Sequence, residues 1–305
     1  MRVFSKTLLV GIFVSLLLGV GSSAAAFPPR TVSGIDLSTV LTFDDRARQL
    51  SHHESEDDQK GDSLEHVRTI VLDPGHGGGN SGAEGVAHVK EKHLTLELAY
   101  HLREHIQERY PGVRVILTRY WDTDMDLSRR THIANIAQAD LFLSLHYNAA
   151  PHDRAVGYET YFLEPEVVTP GEGEKSGEPV ATAESVATGL DEDVAHVGKD
   201  GTFNDSLVDL KRDLDRERLH RESGLLANVV QQNMDARLDS TNRGVKQAKF
   251  DVLRGALMPS VVVESGFLTH PDEGKEVLED EHRQKLISAL TRAIEQFDAK
   301  LAERD

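Results

Sequence analysis

Short apolar runs alternate with amphipathic helical patterns from Arg68 to the end of the chain, and this alternation constrains the fold most strongly. Runs such as RTIVLD, VRVILTR and DLFLSLHY are short and apolar, which is typical of buried strands. Between the first two, leucine or isoleucine recurs every four residues on one helical face, at Leu94, Leu98, Leu102 and Ile106. The pattern predicts an α/β fold: one domain with a twisted, mostly parallel sheet of about six strands, flanked by helices on both faces.

The first 67 residues are predicted to lie outside this domain. Arg2 and Lys6 precede the apolar run LLVGIFVSLLLGVG, and Ala24-x-Ala26 follows it, so we expect residues 1–26 to be a secretory signal peptide. An uncleaved membrane anchor is the alternative, but the run is short for a membrane span. Residues 27–67 are polar and acidic, which predicts a disordered linker between the signal peptide and a domain of residues 68–305.

Composition excludes several classes of site. The 305 residues contain no cysteine, so a metal site must use His, Asp or Glu. The formal net charge of −17 argues against nucleic acid as a partner. With the signal peptide, these properties predict an exported protein without a membrane span after cleavage. We expect a periplasmic location, with the extracellular cell wall as the alternative.

An insertion at about residues 164–242 interrupts the strand–helix pattern. Its first part, EPEVVTPGEGEKSGEPVATAESVATG, is rich in Glu, Gly, Pro and Thr, which favours a partly disordered segment. Two helices are predicted after it, near Ser206–Leu214 and near Glu217–Leu238. The strands VKQAKFDVLR and PSVVVESG and a closing helix then complete the domain.

Two short motifs imitate known sites. Gly77-x-Gly79-x-x-Gly82 has the spacing of a dinucleotide fingerprint, but no helical pattern begins until about Glu91, so nucleotide binding is disfavoured. His101-Leu-Arg-Glu104-His105 matches an inverted zinc-protease motif. Both histidines flank the apolar stripe of their predicted helix and we expect them to be half-exposed, although a zinc peptidase remains an alternative.

Four separated residues form a third candidate site. His76, His146 and Glu264 each follow or end a predicted strand, and Glu91 opens the first helix. The carboxyl ends of parallel strands meet at one edge of a sheet, where ligands bind. Two histidines and a carboxylate can hold a catalytic zinc, and a second carboxylate can accept a proton from water. Periodicity alone does not single out these four residues.

Four blocks carry a family resemblance in order from about Arg68 to Ala302: VLDPGHGGGNSGAEG with KEKHLTLELAYHL, VILTRYWDTDMDLSRRTHIAN, DLFLSLHYNAAP with GYETYFL, and MPSVVVESGFLTHPDEG. They resemble the zinc-dependent N-acetylmuramoyl-L-alanine amidases of the amidase_3 type. The resemblance implies hydrolysis of the amide between N-acetylmuramic acid and L-alanine in peptidoglycan, for cell-wall remodelling or daughter-cell separation. A catalytically inactive peptidoglycan-binding protein of the same fold is the alternative.

The resemblance also implies roles for individual residues. His76, Glu91 and His146 correspond to the ligands of one Zn²⁺ per chain, and Glu264 corresponds to the catalytic glutamate. Asn148 is a candidate substrate-binding residue. The sequence departs from the family at His270, where the family often has Asn, which puts one loop contact in doubt. Four further residues at family positions are expected to be structural: Arg119, Asp122, Arg130 and Asn135.

Regulation is the last expectation from the resemblance. Some cell-division amidases of this type carry, in the insertion, a helix that covers the zinc until an activator protein displaces it. Residues 182–214 are the candidate regulatory segment in this chain.

Overall fold

The computed structural model describes residues 63–152, 154–165 and 202–304. The predicted signal peptide, the predicted linker up to residue 62, and the insertion from residue 166 to 201 lie outside the described residues. Within the described ranges, no helix combines the length and the apolar character needed to cross a membrane.

Six strands form one sheet. They are β1 (Thr69–Pro74), β2 (Arg114–Leu117), β3 (Leu141–Asn148), β4 (Tyr158–Leu163), β5 (Asn242–Ala248) and β6 (Ser260–Phe267). The strand order is β2-β1-β3-β6-β4-β5, with β2, β1, β3 and β6 parallel, β4 antiparallel to β6, and β5 parallel to β4. The predicted six-stranded, mostly parallel sheet is confirmed.

Helices cover both faces of this sheet. They are α1 (Glu91–Arg109), α2 (Leu127–Ile136), α3 (Thr202–Asp235), α4 (Glu273–Glu276) and α5 (Asp280–Ala302). Alternation along β3 shows the two faces: Leu141, Leu143 and Leu145 enter the larger core with α1, α3 and α5, whereas Phe142 enters the smaller core with α2. His146 therefore points to the face that carries the smaller core.

Helix α3 differs from the two helices predicted for this region. It runs unbroken from Thr202 to Asp235, and its C-terminal half buries Leu226, Val230 and Met234 against the sheet. The prediction of two separate helices was wrong. The apolar pattern pauses near Asp215, but no Gly or Pro interrupts the backbone before Gly224, so the helix continues through the pause.

The domain also begins earlier than predicted. Leu64 and Val67 are buried, although both fall in the predicted linker. The Asp298 carboxylate in α5 accepts hydrogen bonds from the backbone N–H groups of Glu65, His66 and Val67 at 2.9, 2.8 and 2.7 Å. Two apolar side chains and one buried carboxylate thus fix these residues to the domain.

Candidate metal centre and active site

The loop after β1 places His76 in an uncommon backbone conformation. His76 has φ of 60°, in the left-handed region that residues other than glycine seldom adopt. A Cβ on the preceding Gly75 would lie only 2.3 Å from Cε1 of the His146 ring, which makes glycine necessary there. Two arginines hold this loop: Arg119 Nη2 donates to the Gly75 carbonyl at 2.8 Å, and Arg130 Nη2 donates to the His76 carbonyl at 2.7 Å.

Three side chains from three elements meet at the C-terminal edge of β1 and β3. Glu91, at the start of α1, lies between the histidines: its Oε2 is 3.0 Å from His76 Nε2, and its Oε1 is 3.0 Å from His146 Nδ1. The candidate ligand atoms of these residues all lie within 4.8 Å of one another. Among the described residues, no other group of histidines and carboxylates converges in this way. Two imidazole nitrogens and one carboxylate oxygen fit the donor set of a catalytic zinc.

Neighbouring groups fix the orientation of these side chains. His76 Nδ1 lies 2.9 Å from Asn80 Oδ1, which can only accept, so Nδ1 carries the proton and Nε2 faces Glu91. Backbone N–H groups of Ala83 and Tyr147 donate to Glu91 at 2.9 and 3.1 Å. Burial alone raises the pKa of Glu91, but its contacts with His146 and His76 hold that pKa well below the ordinary value. Glu91 is therefore ionised.

Glu264 completes the arrangement from β6. It is the register partner of His146 on the adjacent strand, and its buried Oε2 has no hydrogen-bond partner among the described residues. Burial raises the pKa of Glu264 to about 7, His146 opposes this shift, and the negative charge of Glu91 adds to it. A carboxyl group in this state can both accept and release a proton near neutral pH.

Sequence reasoning missed Glu159. This buried β4 residue is the register partner of Glu264. The candidate substrate residue Asn148 donates to Glu159 Oε1 at 2.9 Å, so in this structure its amide is held by a carboxylate. One sequence signal for Glu159 is the alternation in GYETYFL, which puts Glu159 and Tyr161 on one side of the strand.

The two motifs that imitate other sites have structural contacts instead. The N–H groups of Gly78 and Gly79 bind the Asp122 and Asp124 carboxylates at 2.6 and 2.8 Å, rather than presenting themselves for a phosphate. His101 Nδ1 lies 3.8 Å from Glu104 on the half-exposed flank of α1.

His270, where the sequence departs from the family, makes a loop contact: its Nδ1 accepts from the backbone N–H groups of Asp272 and Glu273.

Comparison with known proteins identifies the family of the chain. The Amidase_3 family model, described as N-acetylmuramoyl-L-alanine amidase, matches residues 70–296. N-acetylmuramoyl-L-alanine amidase AmiA of Escherichia coli (strain K12) is 31% identical over 228 residues, which cover 74% of this chain and 75% of AmiA.

Two solved structures share the fold. The catalytic domain of the N-acetylmuramoyl-L-alanine amidase CwlV from Bacillus (Paenibacillus) polymyxa var. colistinus aligns with a TM-score of 0.55 and 22% identity, over 76% of this chain and 98% of that one. The CwlD amidase from Clostridioides difficile, solved in complex with the GerS lipoprotein, also gives 0.55 and 22%, over 76% and 99%. From the family match, the relationship to AmiA and the shared fold, it follows that the chain belongs to the Amidase_3 family of N-acetylmuramoyl-L-alanine amidases.

Proposed function

We propose that the protein is a zinc-dependent amidase that hydrolyses the bond between the lactyl group of N-acetylmuramic acid and the L-alanine of the stem peptide. The observation that carries this proposal is the convergence of His76, Glu91 and His146 beside the buried Oε2 atom of Glu264. A peptidoglycan-binding protein without catalysis would have no need of a buried carboxylate oxygen without a hydrogen-bond partner next to a metal-binding set.

His76, Glu91 and His146 would hold the zinc. When bound, zinc supplies Lewis-acid activation of water and of the scissile carbonyl oxygen. Glu264 takes the proton from the attacking water and delivers it to the nitrogen of the departing alanine. The high pKa of Glu264 suits both halves of this transfer. Asn80 accepts from Nδ1 of His76, which leaves Nε2 as the ring nitrogen directed at the site.

Digestion of purified peptidoglycan tests this function. The protein should release free stem peptides with an N-terminal alanine, and a chelator should stop their release. Mass analysis of the soluble products identifies the cleaved bond. Cleavage that persists after complete zinc removal, or products cut between amino acids, would contradict the proposal and favour another reaction.

The biological setting is proposed from the chain outside the described residues. A signal peptide at residues 1–26 would export the enzyme, to the periplasm or alternatively to the cell wall, where it would act in remodelling or in daughter-cell separation. Fractionation of cells that express the full chain would show the processed protein outside the cytoplasm. Retention of full-length protein in the cytoplasm would exclude this setting.

We also propose that residues 182–214 regulate access to the site and respond to an activator protein. Within the described part of this segment, α3 carries Leu210 and Leu214 at exposed positions four residues apart. The complex of CwlD with a lipoprotein shows a relative of the same fold bound to a partner. Deletion of residues 182–214 should raise activity on isolated peptidoglycan, and an unchanged rate in a folded deletion variant would count against regulation.

A further inference from the structure

Two cations of β5 lie beside the buried carboxylate of Glu159. Arg243 Nε donates to Glu159 Oε2 at 2.8 Å, and Lys246 Nζ donates to the same oxygen. The side chains of Arg243 and Lys246 are 34% and 37% exposed, whereas that of Glu159 is 5% exposed. Two positive charges thus meet the single negative charge of Glu159, and both cations are partly exposed to solvent on a chain whose net charge is −17.

Glu159 itself does not require both cations. Asn148 and the Tyr161 hydroxyl also donate to Glu159, each at 2.9 Å, so four donors surround one carboxylate. Burial raises the pKa of Glu159, but Lys246, Arg243 and the neutral donors outweigh it and lower that pKa to about 2. One cation is enough to neutralise the ionised carboxylate, and the second remains available to a ligand.

The cations lie on the same face of the sheet as the candidate active site. Glu159 is the register partner of Glu264, and Glu264 is the register partner of His146. In each strand the adjacent apolar residues point to the larger core on the opposite face, so these three side chains share one face of the sheet. Adjacent strands are about 4.8 Å apart, so β5 lies roughly 10 Å from β6. An extended peptide that starts at the scissile amide would cover this distance in about three residues.

Aromatic rings fix the position of both cations. The Arg243 guanidinium carbon lies 5.0 Å from the ring centroid of Phe267, and Lys246 Nζ lies 5.6 Å from that of Tyr161. Such contacts reduce the conformational freedom that a long side chain loses when it binds a ligand. The pair is thus held ready for an anionic group.

We propose that Arg243 and Lys246 form a carboxylate-binding subsite that recognises an acidic group within the first three residues of the stem peptide. This inference rests on the proposed function, because it assigns the substrate group that the proposed active site prefers. The subsite favours stem peptides whose carboxylates are free over those whose carboxylates are amidated.

Binding calorimetry tests the subsite without hydrolysis. The probes are two synthetic stem tripeptides of the same sequence, both with a C-terminal amide. Their remaining carboxylates are free in one probe and amidated in the other. Wild-type protein should bind the free acid roughly three- to tenfold more tightly, as expected for a half-exposed charge-assisted contact. Lys246→Gln should abolish this preference, because it keeps a donor for Glu159 but removes the charge, and Lys246→Arg should restore it.

Lys285→Gln is the matched control, because Lys285 is 34% exposed, close to the 37% of Lys246, and lies near two carboxylates, those of Asp239 and Glu281. It should keep the wild-type preference. Equal binding of the two tripeptides by wild-type protein, or an unchanged preference in Lys246→Gln, overturns the proposal. The wild-type comparison decides the question even if a variant fails to fold. A failed amidase assay with an intact binding preference would contradict the proposed function alone.

Discussion

Glu264 lies opposite His146 as its register partner on the neighbouring parallel strand, so the proposed proton acceptor and a proposed metal ligand share one level of the sheet. Backbone hydrogen bonds between β3 and β6 fix the relative position of these two residues, so that position does not depend on a loop. Reaction groups held by adjacent strands keep their spacing without any closure of the site.

Replacement of Glu264 should separate metal binding from turnover. Glu264→Gln keeps the size of the side chain but cannot accept a proton, so we expect a loss of about 10²–10⁴-fold in kcat with zinc content unchanged. Glu104→Gln, at an exposed position of α1, is the control and should behave like wild type. Substantial cleavage of muramoyl amides by Glu264→Gln would exclude the proton-transfer role.

Paired histidine variants separate the two candidate metal sites. His76→Ala and His146→Ala should each lower zinc affinity by ~100-fold or more, because each removes one of three converging donors. His101→Ala and His105→Ala should leave zinc content and cleavage unchanged. Metal analysis after equilibrium dialysis gives the comparison, and zinc loss in the second pair would revive the zinc peptidase alternative.

The sequence predicts most of the site because of where its residues stand in their elements. His76 and His146 follow or end buried strands, Glu91 opens a helix, and the carboxyl ends of parallel strands gather at one edge. The sheet geometry limits the candidate site residues to those at this edge. The family resemblance implies the role of each one. The fold class follows from the same alternation of strands and helices.

Glu159 could not be predicted in the same way. It lies inside β4, and its importance depends on β4 pairing antiparallel with β6 after a reversal of chain direction. Periodicity shows which side of a strand a residue faces but not which strand lies next to it. The same limit hid the subsite cations, since Arg243 and Lys246 reach Glu159 only through the β4–β5 pairing.

Asn80 offers a test of how His76 is oriented. Asn80→Ala removes the acceptor of the His76 Nδ1 proton, so we expect zinc affinity to fall by ~10–100-fold while the fold persists. Asn80→Asp retains an acceptor at the same place and should keep most of the affinity. Competition with a chromogenic zinc chelator measures both, and equal affinity in the alanine variant would show that Asn80 does not orient the ring.

Arg130 links the stability of the domain to the site. Arg130 Nη1 lies 2.9 Å from the fully buried Asp73 carboxylate. Arg130→Met leaves that charge without its cation, which should cost about 3–5 kcal/mol of unfolding free energy. The control is Arg216→Met, because Arg216 and Asp213 form an exposed pair at 3.7 Å, and this variant should cost less than ~1 kcal/mol. Urea unfolding measures both, and equal losses would contradict the difference in burial.

His282 should make the domain sensitive to acid. Neither ring nitrogen of this buried residue has a hydrogen-bond partner among the described residues, although Glu276 Oε1 lies 3.6 Å from Nδ1. Burial lowers the pKa of His282 below its ordinary value of 6.5, and the nearby Glu276 and Glu273 carboxylates only partly oppose this. Between the folded and unfolded pKa values, the unfolded chain binds the proton and the folded domain does not, so stability falls as the pH drops below about 6.5.

The slope from one such proton is at most about 1.4 kcal/mol per pH unit. His282→Gln should flatten this part of the stability curve, measured as the urea unfolding free energy from pH 7.5 to pH 5. His101→Gln removes a histidine from the half-exposed flank of α1 and should keep the wild-type slope. An unchanged slope in His282→Gln would mean that other groups cause the acid sensitivity, because the buried imidazole is then protonated equally in both states.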